Sequence, residues 1–323
     1  MLQRMPHDAS PARTADRERA RARHAWMRAR AALERSGGRR RDPRWFDRVW
    51  RPLRKALIAI DDSQRLRHLY WRGVRNALDI RLERRELAFA ALPAAFDGYT
   101  ILHLSDTHFG KLEETAERLR ACVAGVEADA CVLTGDYAVR YRDHPDEAVG
   151  PLGAVFATLT LRDGVFAVLG NHDGVALVAP LEDLGVRVLV NETAVIARDG
   201  ARLHLTGLDD VHYFASAEAF AALRAAPSGF KIALVHSAEA AKEAAAAGFA
   251  LYLAGHTHGG QVCLPGGWPI VTNQRCRRAY ARGLWRCGDM TGYTSRGIGV
   301  SFLPVRFNSS GEAALITLRR AAG

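Results

Sequence analysis

Side chains able to bind metal or move protons gather at the ends of five apolar runs. Residues 101–104 lead into Ser105-Asp106-Thr107-His108, residues 131–133 into Thr134-Gly135-Asp136, and residues 165–169 into Gly170-Asn171-His172-Asp173. Residues 232–235 end at His236, and residues 251–253 precede Gly255-His256-Thr257-His258. Carboxylate, imidazole and amide-oxygen donors suit Mn, Zn or Fe, and the lack of thiolates among them argues against a structural zinc. Asp106, His108, Asp136, Asn171, His236, His256 and His258 are more donors than one ion can use, even with His172 set aside. Two divalent ions sharing one carboxylate is the economical arrangement, with the ions ~3.5–4 Å apart as in two-metal hydrolases. Glycines beside the donors let the backbone turn tightly at each strand end.

Those donors need elements that bring them together. After residue 99 short apolar runs alternate with helical patterns at 112–126 and 215–226, with further strands expected at 186–190, 203–205 and 315–318. Such alternation implies an α/β layered domain. Carboxyl ends of strands gather on one edge of such a sheet, so five distant segments converge on one cleft. Each piece alone is weak, since an Asp-x-His pair or a Gly-Asp pair is often a surface turn. Their joint occurrence in this order carries the reading. His103 alternates into its strand, and His144, His204 and His212 have no partner spacing, so these four are expected to be structural or exposed.

The 323 residues are 48% apolar and 25% charged, which excludes a disordered chain, a collagen and a small disulfide scaffold. Charge is uneven: residues 1–90 hold 24 Arg or Lys against 11 Asp or Glu, a balance of +13, and residues 91–323 hold 21 against 24, a balance of −3. That basic block reads as a surface for an anionic partner, either membrane headgroups or nucleic acid. Residues 1–43 read as a mobile or loosely helical arm and 44–79 as amphipathic helices with basic polar faces; Trp26, Trp45, Trp50 and Trp71 belong to this region. Short alternating runs at 80–83 and 86–89 open the enzyme domain, 80–323. Five cysteines with no paired spacing argue against a disulfide framework. Neither a membrane-spanning run nor a signal peptide is apparent, so the expected location is cytoplasmic, with peripheral attachment to the inner face of a membrane.

In its ordered blocks Asp-x-His, Gly-Asp, Gly-Asn-His-Asp, a lone His and Gly-His-Thr-His, from Asp106 to His258, the chain resembles the calcineurin-like metallophosphoesterase family. The resemblance covers roughly residues 80–320. It implies a four-layer α/β/β/α sandwich with a dinuclear metal centre, here preceded by basic N-terminal helices. It further implies that Asp106, His108, Asp136 and His258 hold one ion, and that Asp136, Asn171, His236 and His256 hold the other. A hydroxide between two cations would then attack the phosphorus in line. His172 is placed to donate to a leaving-group or phosphoryl oxygen, and Asp173 to fix an imidazole from behind.

The stretch Gly255-His256-Thr257-His258-Gly259-Gly260-Gln261 is similar to a membrane-associated bacterial branch that includes a UDP-2,3-diacylglucosamine hydrolase of lipid A biosynthesis. Thr134-Gly135-Asp136-Tyr137 and residues 283–306 share that similarity. Where many relatives of the branch carry a Pro-Pro-Glu turn, this chain has Arg306-Phe307-Asn308-Ser309-Ser310-Gly311-Glu312, a departure that bears on the substrate more than on the metal site. The expected partners are therefore a phosphoester substrate, lipid-linked in this reading, and an anionic membrane surface met by residues 44–79. An alternative is a nuclease or nucleotide phosphodiesterase whose basic arm holds nucleic acid. Of the 45 basic residues 41 are Arg, but no alternation of basic and aromatic residues marks a nucleic-acid platform. A non-catalytic binding module is the remaining alternative, disfavoured by the intact donor set and His172.

Overall fold

The computed structural model describes residues 11–37 and 64–321. Two helices come first, α1 (Pro11–Ser36) and α2 (Gln64–Ala77). The strands β1 (Ile80–Phe89), β2 (Thr100–Leu104), β3 (Glu127–Ala128), β4 (Ala130–Leu133), β5 (Thr160–Leu161), β6 (Val165–Ala167) and β7 (Val186–Val188) alternate with α3 (Thr115–Val123), α4 (Asp146–Phe156) and α5 (Val178–Asp183). The second half holds β8 (Glu192–Arg198), β9 (Ala201–Gly207), α6 (Ala217–Ala225), β10 (Phe230–Leu234), α7 (Ala241–Ala246) and β11 (Leu251–Ala254). The short hairpin of β12 (Cys263–Leu264) and β13 (Trp268–Pro269) follows, then β14 (Gly283–Cys287), β15 (Met290–Thr294) and β16 (Gly311–Arg320).

Two six-stranded sheets result, in the orders β1-β16-β2-β4-β6-β7 and β14-β15-β11-β10-β9-β8. Neighbours are parallel from β2 through β7 and from β9 through β15. Period-two alternation explains the layering. Ile101 and Val132 point into the core between the sheets with Leu205, Ile232 and Leu253. Leu102, Leu104, Cys131 and Leu133 point the other way, against Leu119, Leu152 and Leu181 of α3, α4 and α5. Ala233 and Tyr252 leave the second sheet to meet Leu223 and Ala244 of α6 and α7. Strands covered on both faces read as unbroken apolar runs, and two of them back to back give the expected four-layer α/β/β/α sandwich.

Several local details differ from the sequence reading. The runs 80–83 and 86–89 are one ten-residue strand, paired in parallel with β16 from Ile80↔Gly311 to Phe89↔Arg320. Its charged residues suit an edge strand, where they discourage pairing with another chain. Residues 283–294, where the sequence marks no strand, form the β14–β15 hairpin of the second sheet. The short helices α4, α5 and α7 run over too few turns for their periodicity to stand out in the sequence.

Of the N-terminal region, the amphipathic pattern at 44–60 lies outside the described residues. α2 does form. Val74 is buried, with Tyr70 beside it, against Leu303, Val305 and Phe307. Leu69 and Trp71 face out, at 44% and 54% exposure. Within 1–43, α1 lies against the enzyme domain, where Trp26 Nε1 donates to Asp209 Oδ2 at 2.7 Å. Arg23 forms ion pairs with Glu182 and Glu192. Among the described residues no helix is long and apolar enough to cross a membrane, and all five cysteines are free.

Candidate metal centre

Strand ends β2, β4, β6, β10 and β11 meet along one edge where the two sheets abut. The loops leaving them are stitched to one another through the backbone: Asp106 N–H donates to the Gly135 carbonyl (2.9 Å), His108 to Asp136 (3.1 Å) and Gly255 to His236 (2.9 Å). Five of the seven expected donors, Asp106, His108, Asp136, His256 and His258, have φ between 41° and 73°. Non-glycine residues adopt this region rarely, and such strain collects at functional sites held by the surrounding structure. The neighbouring glycines serve close packing as well as turning. A Cβ at Gly170 would overlap the Asp136 carboxylate, and one at Gly255 would overlap Ser105 and Asp106.

Two groups of buried donors form there: Asp106, His108 and His258, and Asp136, His236 and His256. Asp136 touches both, its Oδ2 lying 3.2 Å from His236 Nε2 and 3.6 Å from His108 Nε2. Asn171 joins the second group with Oδ1 3.2 Å from His236 Nε2. His258 Nε2 lies 3.5 Å from Asp106 Oδ1 and 3.1 Å from His108 Nε2.

Hydrogen bonds on the far side of each ring decide what these atoms offer. Carbonyl oxygens accept from the rings, so the nitrogens facing them carry the protons: His236 Nδ1 to Thr134 (2.7 Å), His108 Nδ1 to Ala138 (2.9 Å) and His256 Nε2 to Asn273 (2.8 Å). The opposite nitrogens are left as lone pairs. His236 Nε2 therefore faces a carboxylate oxygen, an amide oxygen and, at 3.2 Å, His256 Nδ1. Acceptors converging in this way repel unless positive charge lies among them, which is the environment of a cation site. Burial pushes the His108 pKa down to about 3 and takes His256 and His258 well below the ordinary value, keeping them neutral as ligands must be. His236 is the exception. Burial opposes its protonation, yet the Asp136 carboxylate overrides this and lifts it to about 10. The direction of that shift shows that the donor set favours positive charge at this point, and the residues fit divalent cations.

His172 stands outside both groups. Its ring meets that of His108 edge-on at 4.9 Å, its Nδ1 donates to the Val139 carbonyl at 2.5 Å, and its backbone N–H donates to Asp136 Oδ1 at 2.8 Å. The expectation that Asp173 fixes an imidazole is corrected. Its Oδ2 accepts from the backbone N–H of Asp136 (2.6 Å) and Gly170 (2.8 Å), and its Oδ1 from Tyr137 (2.8 Å) and Ala138 (3.3 Å). With those donors around it the carboxylate ties the Asp136 loop to the Asn171 loop and reaches no ring.

Sequence reasoning missed other residues of the site. Arg306 is fully buried and donates to the carbonyls of His258 (3.2 Å), Arg296 (2.8 Å), Gly297 (3.0 Å), Gly299 (2.6 Å) and Ser309 (3.3 Å). Burial lowers its pKa to about 10, so it stays a cation and ties the His258 turn to residues 296–299 and to Ser309 through their carbonyls. His212, expected to be structural or exposed, is buried, its ring 4.3 Å from that of His256 and its Nδ1 2.7 Å from Glu239 Oε1. Arg30 of α1 reaches the Gly170–Asp173 loop. Neither arginine stands in a spacing motif, so neither could be singled out.

The chain matches the calcineurin-like phosphoesterase family over residues 99–260, a span that includes every donor named above. The chain belongs to that family. It is 31% identical over 243 residues to the uncharacterized metallophosphoesterase YkuE of Bacillus subtilis (strain 168), covering 71% of this chain and 82% of the relative. It is 28% identical to the uncharacterized metallophosphoesterase YkoQ of the same organism, over 75% of this chain and 92% of the other. It is 29% identical to the phosphodiesterase YaeI of Escherichia coli (strain K12), over 73% and 87%. As a calcineurin-like phosphoesterase with two candidate metal-binding clusters, the protein is a metal-dependent phosphoester hydrolase of a dinuclear, divalent-metal family.

Proposed function

We propose that this phosphoesterase cleaves a phosphodiester or pyrophosphate bond, with Asp106, His108, Asp136 and His258 holding one divalent ion and Asp136, Asn171, His236 and His256 the other. The observation that carries the reading is the convergence of lone pairs around Asp136 Oδ2, which both donor groups approach. Mn, Zn and Fe all suit these donors. Bound there, such ions supply Lewis acidity to the phosphoryl group and activate water for in-line attack. The chain's own residues do the rest. His172, whose Nδ1–H is committed to the Val139 carbonyl, presents Nε2 to the leaving-group or phosphoryl oxygen and donates there in the doubly protonated form of the ring. Asp173 holds the backbone of both loops in register, and the strained turns at Asp106, His108, Asp136, His256 and His258 direct their side chains inward. The test is turnover of bis(p-nitrophenyl) phosphate by purified protein. Activity should vanish with a chelator and return with Mn. Failure of every added metal to support turnover of any diester or pyrophosphate sinks the proposal.

One observation favours a lipid-linked substrate within this reading. From Gly259 to Gly288, immediately after the His256–His258 turn, the chain has five arginines and no acidic residue. The same segment exposes Leu264 (56%), Trp268 (72%), Ile270 (51%) and Leu284 (53%). Leu264 and Trp268 are direct partners across the β12–β13 hairpin. Exposed apolar side chains among arginines suit the interface of an anionic bilayer, which Trp and Arg favour. Leu69 and Trp71 of α2 are further exposed apolar groups. A lipid-linked nucleotide such as UDP-2,3-diacylglucosamine, met at the inner face of a membrane, is the substrate this reading points to. Cosedimentation with phosphatidylglycerol vesicles but not phosphatidylcholine vesicles supports it; binding to DNA alone favours the nuclease alternative.

A further inference from the structure

We propose that Arg30 is a positioning residue for the hydrolysis, and that α1, outside the residues matched by the family, is thereby part of the active site. The inference rests on the role given to His172 above. Asn171 and His172 lie between Gly170 and Asp173, and the carbonyls of those two residues bracket them. A single guanidinium nitrogen, Arg30 Nη2, donates to both, at 2.7 Å to Asp173 and 3.3 Å to Gly170. The staple thus spans the two site residues of the loop.

Everything around Arg30 fixes its plane. Nη1 pairs with Asp209, whose other oxygen accepts from Trp26 Nε1 of the same helix. Nε donates to Glu34 Oε1 at 3.1 Å, and that oxygen also accepts the Val175 backbone N–H at 2.8 Å, beyond the far end of the loop. The Phe214 ring lies 3.5 Å from Cζ. Arg30 is 1% exposed. The helix is also anchored by Asp209 and by the outer pairs of Arg23 with Glu182 and Glu192. The bracket on Gly170 and Asp173 adds to that anchor and also removes freedom from the segment that sets Asn171 and His172. A lysine reaches Asp209 as a point charge and lacks the planar fork that also holds the carbonyls.

The test uses the full chain carrying Arg30→Lys, which keeps a charge beside Asp209. Misplacing a reacting group by about 1 Å costs on the order of a hundredfold, so kcat on bis(p-nitrophenyl) phosphate should fall roughly ten- to hundredfold. KM should stay within about threefold and metal content near two ions per chain, because every donor except Asn171 lies off this loop. In a His172→Ala background the same substitution should cause a much smaller further loss, the remainder acting through Asn171, since there is no His172 left to position. Glu34→Gln, which weakens the Val175 anchor on the half-buried side, should give a smaller loss with the same dependence on His172 and serves if Arg30→Lys does not fold. Parental kcat in folded Arg30→Lys overturns the proposal, as does an equal loss with and without His172. If His172→Ala alone leaves kcat unchanged, the role of His172 fails first and is told apart from failure of the brace.

Discussion

The two walls of the metal centre are held by different means. On the Asn171 wall, the Gly170–Val175 loop is enclosed by polar contacts: Asp173 ties it to the Asp136 loop, and Arg30 and Glu34 tie it to α1. On the His256–His258 wall, Arg306 holds the turn from within the domain, and α2 packs over residues 303–307. Beyond that turn the same wall carries Leu264, Trp268 and Ile270 into solvent. Buried, fully paired polar groups collect where reacting atoms must stay in place, because a half-satisfied network there would be unstable. Exposed apolar groups collect where a partner is needed to cover them. One wall is closed by buried polar contacts, and the other carries exposed apolar side chains proposed above as a contact surface.

The largest expected effect breaks both walls together. Asp136→Asn removes the charge that the two donor groups share, so metal content should fall below one ion per chain and diester turnover should become undetectable; metal analysis alongside rates checks it. His172→Ala acts on the first wall alone. Turnover should fall by roughly two to four orders of magnitude, as for a lost general acid, with metal content kept. Loss of metal together with activity would make His172 a ligand instead.

Arg306→Met tests the second wall. It leaves the carbonyls of Arg296, Gly299 and Ser309 without their donor, while those of His258 and Gly297 keep backbone N–H partners, and each unpaired group costs about 1–3 kcal/mol, so the urea midpoint should drop steeply before any specific loss of turnover is seen. That wall is also the more sensitive to acid. His256 and His258 have folded pKa values well below 6.5, chiefly through burial, so the unfolded chain binds more protons below that pH. The stability they contribute is complete above about pH 6.5 and declines as pH falls, which urea titrations of chelated protein at pH 7.5 and 5.5 will show. His256→Gln with His258→Gln should flatten that decline. Smallest is the effect of Trp268→Ser on a soluble diester, where rates should match the parent, while retention on phosphatidylglycerol vesicles should weaken. Equal vesicle binding by parent and variant would take the hairpin out of the contact wall.

How much of this was legible in the sequence depends on where the information lies. The donors could be read because each follows an apolar run, and a strand ending in Asp, Asn or His states its chemistry locally. The layers could be read for the same reason, since Ile101 and Leu102 face opposite cores and both must be apolar. Arg30 and Arg306 could not. Each acts on carbonyls far away in the chain, Arg30 on Gly170 and Arg306 on His258, and a backbone carbonyl leaves no trace in residue type. Asp173 was read as a partner of imidazole because its neighbour is one, whereas the donors that surround it are backbone N–H groups of two loops. The α1 pattern, rich in Arg with a few apolar residues, resembles a solvated arm until Asp209 and Phe214 are seen beneath it.

The shared carboxylate is the centre of the account, and crystals soaked in Mn test it most directly. An anomalous difference map should show two peaks about 3.5–4 Å apart, one on each side of the Asp136 carboxylate, with His108 and His258 on one peak and Asn171, His236 and His256 on the other. A single peak, or two peaks that do not share Asp136, would contradict it.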